Sequence, residues 1–353
     1  MDIEVSKTRV TVWAAALLGL SSCGSLAFAA PLFESDETLA ILLEFPVNDL
    51  LRQAKKKPTV EGRLHYNDAD KGQIVLDISV TTRGKSRLEQ CRYPPLSLNL
   101  KKKQTVGTEF ADQNKLKLVT PCQSKSTHKH YLDQEYAIYK AYNQLTDYSF
   151  RVRMLEVTFR DNEGKRKDAV HEAFFIEPLK GAAARLGMQT ISARSVGVSQ
   201  LDPEQLSIMT LFHFMIGNTD WSARRGPANE DCCHNGKVIG RPDSTDGWVV
   251  LPYDFDQSGI INTDYSAPAE QLRLRSVRQR LYRGYCRSID QMDATISLFN
   301  DSRGAIEELF GSAAERPSTN KTALKYLDSF FDIINDPAKR KKKIVDACQQ
   351  TND

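Results

Sequence analysis

The stretch that decides our interpretation of the fold reads IGNTDWS at 216–222, CCHN at 232–235 and LPYDFDQSG at 251–259. Asp220 follows an apolar run of helical character, and Asn235 lies further along the chain. Asp254 and Asp256 then follow an apolar run typical of a strand. Taken alone, an Asp-rich segment with glycine is more often a turn, because Asp caps local backbone and Gly accepts positive φ. The complete order of helix, Asp, Asn, strand and Asp-x-Asp is far more specific.

These residue types in this order fit phosphoryl transfer from a nucleotide. One carboxylate can accept the proton of an attacking hydroxyl, while an Asn and a further Asp hold metal ions on the phosphates. Mg²⁺ prefers carboxylate and amide oxygens and shares its coordination with phosphates, so few protein ligands are needed. We therefore expect Asp220 to act as the catalytic base and Asp254 and Asn235 to serve as metal ligands. Asp256 would be a further metal ligand or an orienting group.

Composition limits the class of protein. The chain has 353 residues, of which 41% are hydrophobic, enough for one large domain or two modest lobes. The net charge is only +3, and the basic runs at 55–57, 101–103 and 339–343 are short and scattered. Solvated faces are the default interpretation of such runs, and a weak attraction to anionic surfaces is the alternative. A net charge this small does not by itself indicate nucleic acid, so we expect no nucleic-acid partner.

The N-terminus predicts export. Lys7 and Arg9 precede an apolar run at 10–20, and Ala-Phe-Ala at 27–29 supplies small residues for cleavage before Ala30. This pattern is typical of a secretory signal peptide covering 1–29, with the mature protein periplasmic or extracellular. An alternative remains, because LSSC at 20–23 loosely resembles a lipoprotein box that would anchor Cys23 by lipid. No later segment is apolar enough to predict a membrane span.

Six cysteines remain after position 29: Cys91, Cys122, Cys232, Cys233, Cys286 and Cys348. An even number in an exported chain favours disulfide bonds. The first two flank strand-like segments and form a plausible pair. The vicinal pair at 232–233 would then bond to the last two in either order. A zinc site using nearby histidines (His128, His130 and His234) is the alternative, but the spacing matches no tetrahedral pattern.

Hydrophobic periodicity divides the chain into two parts. Period-two alternation predicts strands at 39–45, 59–66, 73–82, 96–100, 115–119, 151–160 and 173–176. Helical spacing predicts helices at 132–145, 204–216, 290–299, 302–310, 322–334 and 337–348. We therefore predict an α+β, two-lobed, protein-kinase-like fold, with a β-rich N-terminal lobe at 30–177 and a mainly helical C-terminal lobe with acidic loops at 178–353. A nucleotide would lie between the lobes.

Further residues are candidates for nucleotide contacts. Lys115 and Lys117 share one face of a predicted strand, from which a lysine could reach the α- and β-phosphates, and Lys117 is preferred because it is nearer the following helix. Glu135 on that helix could orient the lysine, as a helix glutamate does in kinases. Arg83 opens a short segment, RGKS at 83–86, that could cover the phosphates. Glu177 stands where a linker would contact adenine. Solvent-facing lysines, a plain hairpin end and an ordinary strand exit are the alternatives.

In these segments the sequence resembles the CotH family of secreted atypical kinases. The pieces that carry the resemblance are TRGKS at 82–86, KLKL at 115–118, FFIE at 174–177, MIGNTDW at 215–221 and LPYDFD at 251–256. The chain is also similar to a group of bacterial exported proteins that share Arg-Gly, Cys-x-x-Pro-Pro-Leu and Pro-Tyr-Asp-Phe-Asp pieces. It departs from the family in the longer segment between Asp220 and Asn235, so Asn218 is an alternative metal ligand to Asn235.

The resemblance implies an exported phosphotransferase that uses ATP with Mg²⁺ or Mn²⁺. Its acceptor would be a hydroxyl group on a protein or a small molecule, and nucleotidyl transfer is a variant with the same parts. A different class of function is also open, because a fold does not guarantee activity. The chain could be an inactive, disulfide-stapled envelope protein whose acidic loop binds Ca²⁺ or a partner.

Overall fold

The computed structural model describes residues 32–351. The predicted signal peptide, its cleavage site and Cys23 lie outside this range. The strands are β1 Leu39–Phe45, β2 Thr59–Asp68, β3 Gly72–Thr82, β4 Leu96–Leu100, β5 Lys115–Val119, β6 Val152–Asp161, β7 Ala169–Ile176, β8 Gln189–Thr190, β9 Gly236–Gly240 and β10 Val249–Pro252. The α-helices are α1 Val47–Arg52, α2 Ser86–Gln90, α3 Lys102–Thr105, α4 Ser126–Asn143, α5 Leu179–Arg185, α6 Pro203–Ile216, α7 Met292–Asp301, α8 Arg303–Ser312, α9 Pro317–Asn335 and α10 Pro337–Arg340. Between residues 32 and 351, no helix combines the length and the apolar character that crossing a bilayer requires.

The first seven strands form a closed barrel in the order β1-β2-β3-β4-β5-β7-β6. Closure comes from β1, which pairs with β2 in antiparallel fashion at Leu43↔Leu64 and with β6 in parallel fashion at Leu43↔Phe159. The α+β class is therefore confirmed, but the two-lobed protein-kinase-like arrangement is wrong. The error has a physical origin, since alternation identifies strands and their inward faces but not the second partner of an edge strand.

Alternation along each strand explains why the barrel has a packed interior. Leu76, Ile78 and Val80 on β3 are buried inside it, at every second position. On β7, Phe175 points into the barrel core, while its neighbour Phe174 belongs to a second core on the outside. One strand thus serves two cores, because successive side chains leave opposite faces of a sheet.

The second core lies between one wall of the barrel and the helices. Tyr139 of α4 packs against Phe174 of β7 with ring centroids 5.7 Å apart. On α6, Phe212 packs against α4, and Phe214 contacts Phe330 of α9 at 6.2 Å. This core contains residues from both sides of position 177, the boundary between the predicted lobes.

The end of α6 directs the chain toward the acidic loops. Asp202 caps its N-terminus through the backbone N–H of Gln205, and Pro203 occupies its first turn. Gly217 ends the helix in the left-handed conformation with φ of 66°. A Cβ at this position would lie 2.0 Å from the hydroxyl of Tyr326, so a side chain would clash as well as strain the backbone. The strands β8, β9 and β10 form a small sheet, and β10 packs against α6.

Candidate active site

A cleft of about 570 Å³ lies where the connection after β3 faces the loops that follow α6 and β10. It brings together five of the predicted site residues. Those residues, which line its wall, are Arg83, Asp220, Asn235, Asp254 and Asp256. Lys57, Lys85 and Lys237 add positive charge to the wall. Acidic and basic side chains therefore border one solvent-open space. We call Arg83 and Lys237, whose charges both act on Lys117, its basic side, and Asp220, Asp254 and Asp256 its acidic side.

The loop that carries Asp220 is held in place by Asn218. Asn218 is buried, and its Oδ1 accepts the backbone N–H of Asp220 at 2.9 Å. The backbone oxygen of Asn218 accepts the indole N–H of Trp221 at 3.1 Å. Asn218 thus shapes the loop and is absent from the lining of the cleft, whereas Asn235 lines it. Of the two asparagines, the geometry favours Asn235 as a ligand.

Asp220 is held by both residues of the His234–Asn235 pair. His234 Nε2 lies 2.6 Å from Asp220 Oδ1, and Asn235 Nδ2 donates to Asp220 Oδ2 at 3.0 Å. The hydrogen bond to Asp220 raises the pKa of His234 above its usual value, although burial opposes the shift. Each carboxylate oxygen still has a free acceptor position. Asp220 is therefore oriented and can still accept a hydrogen bond from a further donor.

Asp254 differs from every other acid in the cleft. Its backbone has φ of 64°, an uncommon conformation for a residue other than glycine. Its N–H donates to the hydroxyl of Tyr139 at 2.9 Å, and the preceding N–H of Tyr253 donates to Asn235 O at 3.1 Å. Within residues 32–351 the half-buried carboxylate of Asp254 has no hydrogen bond or ion pair. It is the acid that is free to bind a cation.

Asp256 and Glu135 both form ion pairs with Arg87, a residue that sequence analysis did not identify. Arg87 Nε donates to Asp256 at 2.8 Å, and Arg87 Nη2 donates to Glu135 at 2.9 Å. Burial raises the pKa of Glu135 to about 7, although Arg87 opposes this, and burial also raises the pKa of Asp256. For Arg87 itself, burial disfavours the charge, but both carboxylates outweigh it and raise the pKa. Glu135 therefore forms its ion pair with Arg87, not with Lys117 as expected.

Lys117 lies behind the basic side of the cleft. Its Nζ is 4.3 Å from the centroid of the Tyr253 ring, and Lys237 approaches the same ring at 5.7 Å. Burial lowers the pKa of Lys117 to about 7, and the charges of Arg83 and Lys237 add to the effect. Lys115, two positions earlier on β5, is exposed. Of the two strand lysines, Lys117 is thus the one set into a polar cluster beside the cleft.

Glu177 lies elsewhere. Its carboxylate is buried, accepts both Nε and Nη2 of Arg185 at 3.1 and 2.9 Å, and also accepts the N–H of Arg151 at 3.1 Å. These contacts join the end of β7 to α5 and to the start of β6. Glu177 is not among the residues that line the cleft. Glu177 therefore links these segments of the chain, and its position supports no contact with a nucleotide in this cleft.

The six cysteines form three disulfide bonds. Cys91 is bonded to Cys122, as predicted. The expected pairing of the others is wrong, because Cys232 is bonded to its neighbour Cys233, and Cys286 is bonded to Cys348. Among the described residues there is no cluster of three or more His, Cys, Asp or Glu side chains that could hold a metal ion by themselves. The zinc alternative consequently has no support.

Three residues of the site were missed by sequence analysis: Arg87, His234 as the partner of Asp220, and Tyr253 beneath the lysines. His234 precedes Asn235 and Tyr253 precedes Asp254, so the predicted metal ligands beside them could have drawn attention to both residues. Arg87 comes four residues after Arg83 and carried none, since its partners are distant in sequence.

No protein-family model matches the chain, and the comparison with curated proteins also finds no match. The resemblance to the CotH family therefore stays a prediction, and the site must be interpreted from its own geometry.

Proposed function

We propose that this protein is an exported phosphotransferase that uses ATP, with Mg²⁺ or Mn²⁺, to modify a hydroxyl group on a protein or small molecule. The observation that carries the proposal is that acidic and basic side chains line one cleft, with the carboxylate of Asp254, unpaired within residues 32–351, among them. A metal-nucleotide carries cationic and anionic parts side by side, so it complements such a surface. The three disulfide bonds support the exported location, because disulfides persist in oxidising compartments.

The donor set fits a hard divalent cation. The free carboxylate of Asp254 is the first ligand, and Asn235 can add its amide oxygen because its Nδ2 is the atom bonded to Asp220. Asp256 accepts a hydrogen bond from Arg87, so we do not assign it as a metal ligand. It would instead help to orient the acidic side of the cleft. Two protein ligands suffice where phosphates and water complete the shell. When bound, the ion would neutralise charge on the phosphates.

The basic side would hold the phosphates. Arg83 and Lys237 line the cleft, and a guanidinium can bind phosphate oxygens in bidentate fashion. Lys117 lies behind them and is partly neutral near pH 7, since its pKa is lowered to about 7. An arriving phosphate would favour the charged lysine, so substrate binding would bring a proton to this residue.

Asp220 would act as the base. It would take the proton of the acceptor hydroxyl while that oxygen bonds to the γ-phosphorus. The bond to the bridging oxygen would break, and its electron pair would leave with ADP. His234 and Asn235 would position Asp220 through their hydrogen bonds. Attack at the α-phosphorus would instead release pyrophosphate, which makes product analysis the way to separate phosphoryl from nucleotidyl transfer.

The test combines calorimetry with labelled ATP. Wild-type protein should bind ATP only with Mg²⁺ or Mn²⁺, and Asp254→Asn should lose this metal-dependent binding. Asp332→Asn is the matched control, since Asp332 is exposed on α9 and does not line the cleft. Binding of Ca²⁺ without any nucleotide binding would overturn the proposal and support the inactive envelope protein.

A further inference from the structure

A second cavity of about 270 Å³ opens at the end of the barrel where β1 and β6 finish and β7 begins. Its wall is largely apolar, with side chains from β1, α1, β4 and β6: Phe45, Val47, Leu50, Leu51, Leu96 and Phe159. None of its lining residues also lines the candidate active site. Mouths of barrels are frequent ligand sites, and the volume suits part of an elongated apolar molecule.

One polar atom in this apolar wall lacks a partner. His171 Nε2 is buried and makes no hydrogen bond with any residue in 32–351. Its ring lies between Tyr93 and Phe159, with centroids at 5.0 and 6.0 Å. The one acid of the wall is already satisfied, because Asp161 accepts the backbone N–H groups of Asn48 and Lys165. A polar group of a ligand would satisfy His171, since buried polar atoms are normally paired.

A strongly basic cavity of about 470 Å³ adjoins the apolar one. The two share Leu51 and Arg166. The basic residues of its wall are Arg52, Lys55, Lys56, Arg92 and Arg166, and no Asp or Glu lines it. Across residues 32–351, none of these five side chains is in an ion pair or a side-chain hydrogen bond. Arg166 is half-buried where the two cavities meet.

We propose that the barrel mouth binds an anionic phospholipid, with an acyl chain in the apolar cavity, an ester oxygen of the same lipid against His171, and the phosphate on Arg166 and its basic neighbours. Like charges gathered without acids repel one another, and a phosphate relieves that repulsion. Arginine in particular matches phosphate oxygens in planar, bidentate geometry. Free phosphate would use the basic cavity alone and leave the adjoining apolar wall without a role. A phospholipid uses both, because its phosphate and its chain are joined.

The experiment measures binding of the mature chain to vesicles of phosphatidylglycerol and of phosphatidylcholine. The protein should bind the anionic vesicles, and Arg166→Gln should weaken binding about fivefold, the effect of one basic residue near an anionic surface. Arg194→Gln removes the same charge from an exposed position outside both cavities and should have little effect. Equal losses in the two variants would mean non-specific attraction and would overturn the proposal.

Two further arms address the source of the phosphate and the role of the chain. Short-chain phosphatidylglycerol should compete with vesicles far better than inorganic phosphate, and equal competition would show a site for free phosphate only. Leu51→Gln keeps every charge but makes the shared wall polar, so it should weaken lipid binding and spare phosphate binding. If Arg166→Gln does not fold, Lys167→Gln at the exposed rim replaces it. Nucleotide binding should be unchanged throughout, so this proposal can fail independently of the proposed function.

Discussion

The barrel interior and the floor of the cleft show two ways of burying side chains. Inside the barrel, Leu43, Leu64 and Leu98 are fully buried among other apolar groups. Glu135 and Asp256, which together with Arg87 form what we call the cleft floor, are also buried, but both are ionisable and they share the guanidinium of Arg87. Apolar burial stabilises the fold, whereas a buried ion pair is weak grounds for stability. The buried charges of the cleft floor therefore add little net stability, and we infer that their role is functional.

The largest effect should come from removing the guanidinium. Arg87→Met leaves two buried carboxylates without a cation, which should cost about 3–5 kcal/mol of unfolding free energy. Denaturant unfolding measures this, and the triple variant with Glu135→Gln and Asp256→Asn should recover much of it. A loss below about 1 kcal/mol would mean that these charges are not buried as described.

The unfolding free energy should also depend on pH, both in wild type and in Arg87→Met. Because the pKa of Glu135 is raised from 4.5 to about 7, the folded state holds a proton that the unfolded state has lost between these values. Stability from this group therefore falls as pH rises through that window. Without Arg87 the fall should continue to higher pH and be larger in total, since Arg87 lowers the pKa of Glu135.

The barrel side of the comparison should behave differently. Leu43→Ala removes a fully buried side chain and should cost about 2–5 kcal/mol with no dependence on pH between 5 and 8, roughly the range in which histidine titrates. Val75→Ala is the control, because Val75 is 48% exposed, and its effect should stay within about 0.5 kcal/mol. A pH-dependent loss at Leu43 would break the distinction between the two regions.

A smaller effect should sharpen the description of the basic side. Binding of Mg-ATP should raise the lowered pKa of Lys117, so protons should be taken up near pH 7 and affinity should fall as pH rises above it. Calorimetry in two buffers of different ionisation enthalpy measures the uptake. Lys117→Met should reduce it, while Lys115→Met, at the exposed position on the same strand, should leave it unchanged. Equal uptake in both variants would show that another group titrates.

The two regions also differ in how far the sequence reveals them. The strand at 39–45 and its alternation were predictable from local pattern, because a half-buried strand imposes period two. The closure of the barrel was not, since the pairing of β1 with β6 joins residues that lie more than 100 positions apart. Hydrophobic periodicity within a segment does not indicate which distant segment will pair with it.

For the site, the same distinction holds. Asp220, Asn235 and Asp254 were predictable because each stands in a short segment with recognisable chemistry, and the structure brings them to one cleft. The partner of Glu135 was not predictable, because Arg87 is 48 residues away and reaches it only after folding. The vicinal bond between Cys232 and Cys233 was missed because we expected each cysteine to bridge distant segments.

The most direct test of the central claim compares two acids of the cleft, Asp254 and Asp220. Metal-dependent ATP affinity and the rate of transfer from labelled ATP are measured together for wild type, Asp254→Asn and Asp220→Asn. We predict that Asp254→Asn loses metal-dependent affinity, whereas Asp220→Asn binds Mg-ATP nearly as well as wild type and transfers about 10²–10⁴-fold more slowly. Wild-type protein that binds no nucleotide with Mg²⁺ or Mn²⁺ would contradict the account, and equal loss of affinity in both variants would contradict the roles assigned to the two acids.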